Sequence, residues 1–383
     1  MPLKPRIYRS VTENMTFPTP ENYSSPLLQR RGAVTALAEA PQLAPLDCRG
    51  VAWHYGAPLE EQRALDRGPI VVDRSHRAVM AITGEDAPTF LNNLLSQKLD
   101  TLRPGDTAAA LDLDIQGHIL HQMRISLIDD TFYLDTPATQ AATLLDFLRK
   151  MVFWSKVDID PTDLGTLTVL GSAEELTELP AGFSRAVEWN GPARRDYFVP
   201  RDELGAAVRA LEAAGCSLAG LMAYTAERVK ALEPELGADL DGKSIPHEVP
   251  HLIGRADRVG AVHLEKGCYR GQETVARVEN LGRSPRLLVL LHLDGSAPDE
   301  TVPGSDITAA GAKRAVGRIG TVVHDVDYGP IALALMKRSA LDSEGLAVGN
   351  VAVAVDKDSI AGDEQSLAGR EAIAKLRGTT PRP

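Results

Sequence analysis

The sequence predicts an α+β chain that ends in an all-β unit. Three observations predict it. Strand and helix patterns interleave twice between Gly50 and Leu232, which is the signature of layered α+β packing. After Arg286 the pattern changes to strands only. The chain has 383 residues, 44% apolar and 24% charged, which is globular composition with room for more than one core.

Residues 1–48 read as a flexible extension. Phe17-Pro18-Thr19-Pro20, Pro41 and Pro45 break any periodic pattern, and a short helix over Ala33–Ala40 is the one regular stretch. Residues 49–156 read as a first α+β lobe. A short helix, Leu59–Leu65, precedes strands at Ile70–Asp73 and Ala78–Thr83. Gly84-Glu85-Asp86 then turns into a helix over Ala87–Gln97, with Phe90, Leu91, Leu94 and Leu95 on one face. Strands follow at Ala108–Leu113, Ile119–Ile128 and Thr131–Asp135, the last two joined at Asp129-Asp130, and then a helix over Ala138–Phe153.

Residues 157–285 read as a second lobe plus a polar loop. Strands are expected at Thr166–Leu170, Ser184–Trp189 and Asp196–Val199. A helix over Asp202–Ala214 takes Asp202 as N-cap and Gly215 as its stop, and a further helix runs over Leu218–Leu232 to Pro234. From Gly237 to Arg286 the chain is punctuated by Gly and Pro. Residues 286–357 carry strands at Leu287–Leu293, Ala315–Val323, Ile331–Met336 and Val348–Val355, a small β-barrel or sandwich. Residues 358–383 form a charged tail with a helix expected at Leu367–Leu376.

Composition excludes several classes. There are 41 Lys plus Arg against 52 Asp plus Glu, a net charge of −11, which disfavours direct nucleic-acid or anionic-membrane binding over the whole surface. Three cysteines, Cys48, Cys216 and Cys268, are too few for a disulfide framework or a four-thiolate metal site, so no metal is expected and a cytoplasmic, reducing compartment is. No apolar run approaches ~18 residues, and the N-terminus lacks the basic-then-apolar pattern of a secretory signal.

The densest polar cluster is Lys266-Gly267-Cys268-Tyr269-Arg270-Gly271-Gln272-Glu273-Thr274-Val275-Ala276-Arg277. Its glycines permit tight turns or close approach, and a thiol, a phenol, an amide, a carboxylate and cations share one short stretch. Lys266 and Arg270 flank Cys268, and neighbouring cations favour thiolate. Cys48 and Cys216 read instead as small buried hydrophobes. From Arg255 to Arg286 seven cations face four acids, net +3, which suits a small anionic ligand.

Other motifs fall short. His247-Glu248-Val249-Pro250-His251 has the spacing of a zinc protease, but Pro246 and Pro250 exclude the continuous helix it requires, which leaves a turn with one useful carboxylate, Glu248. His118 and His121, three apart in an expected strand, fall on opposite faces and make no ligand pair. There is no phosphate-binding Gly-rich loop and no Gly-x-Ser-x-Gly elbow.

The cluster from Lys266 to Glu273, extended to Arg277, resembles the Lys-Gly-Cys-Tyr-x-Gly-Gln-Glu signature of the YgfZ family, relatives of the glycine-cleavage T-protein. Val72-Asp73-Arg74-Ser75 through Phe90-Leu91, Ser244-Ile245-Pro246-His247-Glu248 and Arg283 to Gly295 are also similar, so the resemblance covers roughly residues 50 to 356. It implies a three-lobed fold, two α+β lobes around a central folate channel plus a C-terminal β-barrel. It also implies tetrahydrofolate, or a one-carbon derivative, as cofactor. The implied partners are iron–sulfur client or assembly proteins, including radical tRNA-modifying enzymes.

Departures from the T-protein pattern bear on mechanism. The T-protein segment that supplies a catalytic aspartate corresponds here to Gln116-Gly117-His118-Ile119-Leu120-His121, with Leu120 and His121 in place of the two acids, so aminomethyl transfer loses its acid/base group. The pterin-holding glutamate and arginine correspond to Asp196 and Tyr224, and Arg228 matches a further arginine. On this reading Cys268 is the reactive thiol, Lys266 and Arg270 favour its thiolate, and Tyr269, Gln272 and Glu273 orient it or contact ligand. The cofactor-binding set is Asp196, Tyr224, Arg228, Gln116, Gly117, Gly267, Gly271 and Arg277. Two rival readings remain: a folate-dependent one-carbon transferase and a non-catalytic partner-binding scaffold.

Overall fold

The chain joins the core earlier than its prolines predict. The computed structural model describes residues 17, 19, 21–179, 181–255, 258–297 and 301–362. Residues 21–48, expected as a flexible extension, are packed: Leu27, Ala36 of α1 (Ala36–Glu39), Leu43, Leu46 and Cys48 are buried. The prolines start short 3₁₀ turns, and polar side chains tie the segment down. Ser25 Oγ donates to Asp73 at 2.5 Å and Tyr23 OH to Ser75 Oγ at 2.6 Å. After α2 (Pro58–Arg63) comes β1 (Ile70–Asp73), early in the chain but an interior strand of the second sheet. Its four residues are all buried, as expected of a strand covered on both faces.

The first sheet contains β2 (Ala78–Thr83), β3 (Thr107–Leu113), β4 (Ile119–Ile128), β5 (Thr131–Thr136) and β6 (Asp158–Pro161), in the order β3-β4-β5-β2-β6. Its pairs are all antiparallel, and β3 is an edge. The helices α3 (Ala87–Leu94) and α4 (Ala138–Lys150) contribute Phe90, Leu91, Leu144 and Leu148 to a core with Met80, Ile82, Ile125 and Leu134.

The second sheet contains β7 (Leu164–Leu170), β8 (Phe183–Val187), β9 (Arg194–Pro200) and β10 (Ser217–Ala219), in the order β10-β1-β7-β9-β8. Asp202 is not an N-cap. It lies in a 3₁₀ turn, and α5 runs Leu204–Ala213. The expected helix from Leu218 divides, because β10 pairs in parallel with β1 and Gly220 then starts α6 (Leu221–Lys230). The signature is not loop throughout, since Gln272–Leu281 form α7.

The third sheet contains β11 (Arg286–Leu293), β12 (Asp306–Ile307), β13 (Gly317–Asp325), β14 (Gly329–Lys337), β15 (Ala347–Val348) and β16 (Val351–Val355), in the order β12-β13-β14-β11-β16-β15. A Thr308–Ala347 bridge brings its ends together, making a nearly closed barrel. Leu287, Val289 and Leu291 fill it, while Leu288 and Leu290 pack outward on the core that contains α6. That alternation is what a strand buried on both faces of a junction requires. Among the described residues no helix is long and apolar enough to cross a membrane. The expected helix at Leu367–Leu376 lies outside the described residues.

Candidate functional site

The signature grips the first lobe with both of its expected thiolate-activating cations. Lys266 is buried, and its Nζ donates to Leu95 O at 2.5 Å and to Asn92 O. These carbonyls end α3, where the helix dipole favours a cation. Burial pushes the Lys266 ammonium down to about 8. Arg270 donates to Leu113 O at the end of edge strand β3 and pairs with Asp112 at 2.6 Å, while its guanidinium stacks 4.4 Å over Phe147 of α4. Both cations therefore hold lobes together, contrary to the role expected for them beside Cys268.

Cys268, between them, is exposed, whereas Cys48 and Cys216 are buried. Tyr269 is buried with an unpartnered hydroxyl, and burial holds its pKa above the usual value. The Gln272 amide donates to Lys266 O at 3.3 Å. Glu273 and Arg277 make an exposed pair at 2.9 Å, one turn apart on α7. Gly271 opens α7 at φ 82, and a Cβ there would lie 2.5 Å from Asp114 O and 3.0 Å from Gly117 Cα. The β3–β4 turn carrying Gln116 and Gly117 thus packs on the signature, as only glycine permits. Gly267 has open space around its Cα.

Asp112, unnoticed in the sequence, joins the signature to the Gln116–His121 stretch. It faces His121 across the ladder, with 2.8 Å to His121 Nδ1, and His121 Nε2 lies 3.0 Å from Thr143 Oγ1. His118 turns instead to Asp114, 2.9 Å away, so the two histidines are separately bound. Among the described residues no His/Cys/Asp/Glu group could hold a metal ion. The His247–His251 segment forms two 3₁₀ turns whose polar side chains diverge. His247 meets Glu279 at 3.2 Å, Glu248 meets Arg286 at 2.7 Å, and His251 meets Glu233 at 3.5 Å.

Much of the basic segment is paired with acids inside it and beyond it. Arg255 pairs with Glu279 at 2.5 Å, Arg270 with Asp112, Arg277 with Glu273, and Arg286 with Asp241 and Glu248. Lys266 is buried on carbonyls.

A second feature lies between the sheets. An inner cavity of about 80 Å³ adjoins an outer one of about 240 Å³, with Ala109, Arg124, Glu233, Leu252 and Ala261 lining both. Tyr224 of α6 lines the inner cavity and stacks on Trp189 of the outer one, with ring centroids 6.0 Å apart and planes 7° apart. The Arg74 guanidinium lies 4.0 Å over the Tyr224 ring. Arg194 donates to Tyr224 OH at 3.3 Å.

Asp196 does not line either cavity; it is fully buried behind them. It accepts from Arg194 at 2.8 and 2.9 Å, from Arg185 at 3.2 Å and from Thr168 at 2.8 Å. Despite burial, those guanidiniums hold its carboxyl far below the ordinary range. Arg228 lines the inner cavity but ties α6 to the barrel, bonding Asp239 at 2.8 Å and Thr321 at 2.6 Å. Sequence reading missed Arg74, Arg194 and Trp189. The available signal was charge at the end of an apolar strand: Asp73-Arg74 after Ile70-Val71-Val72, and Arg194-Arg195-Asp196 before Tyr197-Phe198-Val199.

Comparison with known proteins follows the same lines. A family model described as the CAF17 C-terminal beta-barrel domain matches residues 286–363. The chain is 26% identical over 247 residues to the tRNA-modifying protein YgfZ of Escherichia coli O157:H7, covering 60% of this chain and 73% of that one. It is 25% identical over 295 residues to the chloroplastic putative transferase At1g60990 of Arabidopsis thaliana, covering 70% of this chain and 65% of the plant protein's length. Among solved structures, the glycine cleavage system aminomethyltransferase T from Bartonella henselae superposes with a TM-score of 0.70 at 18% identity, covering 88% of this chain and 96% of that one, which shows a shared fold. The signature on its two anchors and the matched barrel make the chain similar to YgfZ proteins, and the fold it shares is that of a glycine-cleavage T-protein.

Proposed function

We propose that the chain binds tetrahydrofolate, or a one-carbon derivative, in the central channel. We propose further that, through exposed Cys268, it supports assembly or repair of iron–sulfur enzymes, tRNA-modifying ones among them. The observation that carries the reading is the channel between the lobes. Trp189, backed by Tyr224, offers a ring face to a planar bicycle, Arg74 and Arg194 offer donors, and Glu233 and Glu235 offer acceptors. Arg124, Arg258 and His251 line the outer cavity. In this account Asp196 acts from behind, fixing Arg194, and Arg228 braces the wall.

The name of the bacterial relatives, tRNA-modifying protein, supports the client half of the proposal. No direct nucleic-acid contact is invoked. Three unpaired thiols suit a reducing, cytoplasmic setting. Titration of the purified chain with tetrahydrofolate tests the folate half, and absence of saturable binding removes it. Restoration of an iron–sulfur tRNA-modifying enzyme in a deletion strain tests the thiol half, which full activity of Cys268→Ser would remove.

The transferase reading draws on the name of the plant relative. It needs an acid in the Gln116–His121 stretch; of the two acids beside it, Asp112 is fully buried and held by Arg270 and His121, and Asp114 is held by His118 and the Gln116 and His118 backbone N–H groups. Turnover of a methylamine-bearing donor by the purified chain would revive it.

A further inference from the structure

Five arginines line the inner cavity, and four of them have a carboxylate of their own. Arg77 pairs with Asp135 at 2.8 Å, Arg124 with Glu233 at 2.9 Å, Arg194 with Asp196 at 2.8 Å and Arg228 with Asp239 at 2.8 Å. Arg74 differs. It is 7% exposed, and its guanidinium makes one hydrogen bond, to the neutral Thr168 hydroxyl at 3.2 Å. Among the described residues no carboxylate lies within ion-pair distance of it. Its other contact is the Tyr224 ring. Glu235, on the same cavity, shares Arg228 with Asp239, and burial holds its carboxyl above the ordinary range.

A buried guanidinium that reaches its neighbouring carboxylate, Asp196, only through the Thr168 hydroxyl is incompletely compensated, because desolvation is not fully offset by direct pairing. Burial lowers the Arg74 pKa to about 10, which still leaves it charged at neutral pH. The missing charge is then one that a ligand brings.

We propose that Arg74 forms an oxyanion subsite at the floor of the channel and takes a carboxylate group of the ligand. A guanidinium fork matches a carboxylate in two parallel hydrogen bonds, and the Tyr224 face keeps the fork planar and oriented. The subsite occupies the cavity assigned above to folate and rests on that reading only for the source of the carboxylate. That group belongs either to the glutamate of a folate or to a small carboxylic acid bound beside it.

The test uses the full chain, with sodium formate, sodium acetate, tetrahydrofolate and a reduced pterin lacking glutamate as probes, each followed by calorimetric titration. Arg74→Gln is expected to weaken the carboxylate-bearing ligand by about tenfold or more. Arg74→Lys is expected to retain part of the affinity, since charge remains and the fork is lost. The ligand-free Arg74→Gln chain is expected to melt higher than wild type, because an incompletely compensated buried charge is gone. An arginine with a purely structural role predicts a lower melting point.

Arg74-dependent binding of formate or acetate, without tetrahydrofolate binding, upholds the subsite and removes the folate reading. Tetrahydrofolate binding that is equal in wild type and Arg74→Gln, with no binding of formate or acetate, upholds folate and overturns the subsite. No Arg74-dependent binding of any carboxylate overturns it as well.

Discussion

Replacing Asp196 with Asn separates two roles for that residue. The carboxylate accepts four hydrogen bonds, three of them from guanidiniums, and is fully buried. Asn keeps the shape, loses the charge, and turns a donor toward donors. Removing one partner of a buried ion pair costs about 3–5 kcal/mol, because the remaining charges stay buried. At roughly 2–4 °C per kcal/mol for a chain region of this size, the melting point should fall by about 6–20 °C.

The pH dependence has a definite sign. The folded carboxyl titrates far below the unfolded value of about 3.9. Its stabilisation is therefore full above that value and declines as pH falls below it, where the unfolded chain takes up a proton that the folded one refuses. Calorimetry should show a constant gap between wild type and Asp196→Asn from about pH 5 to pH 8, narrowing below about pH 4. Tetrahydrofolate binding at a temperature where both are folded should weaken only modestly. Unchanged melting with abolished binding would refute the assignment and return Asp196 to direct ligand contact.

Three further outcomes follow from the same geometry. Native alkylation with iodoacetamide should label one thiol per chain, Cys268, since Cys48 and Cys216 are buried and their thiols are pushed up to about 12 and about 11; peptide mass spectrometry reads the site, and native labelling at Cys216 would contradict the packing. Gly271→Ala must place a Cβ against the Asp114 carbonyl at positive φ, and should lower stability in urea by about 2 kcal/mol or more. Because the folded Lys266 titrates near 8 and the unfolded one at 10.5, stability should rise with pH between those values, where the unfolded chain binds the extra proton; Lys266→Met should flatten that rise in melting curves.

Strand positions were legible because their apolar runs are bounded by turn residues. Ile119–Ile128 and Ile70–Asp73 match the reading to the residue. Sheet membership was not legible. Nothing local in Ile70-Val71-Val72 says that it pairs with Ser217–Ala219, because parallel pairing is fixed by a distant crossover. The packing of residues 21–48 was also hidden, since its anchors, Ser25 to Asp73 and Tyr23 to Ser75, are polar pairs far apart in sequence. In the site, local chemistry identified the signature and the exposed thiol. Partner choice was decided by tertiary neighbours: Asp112 and the α3 carbonyls claim the cations that sequence adjacency assigned to Cys268.

That reassignment has a consequence for thiol chemistry. Adjacent cations raise cysteine reactivity only if their charge is directed at the sulfur. Arg270 is held by Asp112, Leu113 O and the Phe147 ring, and Lys266 by two helix-end carbonyls. Arg270→Gln removes the cation from Asp112, which is fully buried and keeps its hydrogen bond with His121. The variant should lose about 2–4 kcal/mol of stability for the unpaired carboxylate. Its Cys268 alkylation rate, measured under conditions where both chains are folded, should stay within about twofold of wild type, since the thiol owes its reactivity to exposure and not to this neighbour. A large fall in rate with unchanged melting would show that Arg270 acts on the sulfur after all, and that its grip on β3 is secondary.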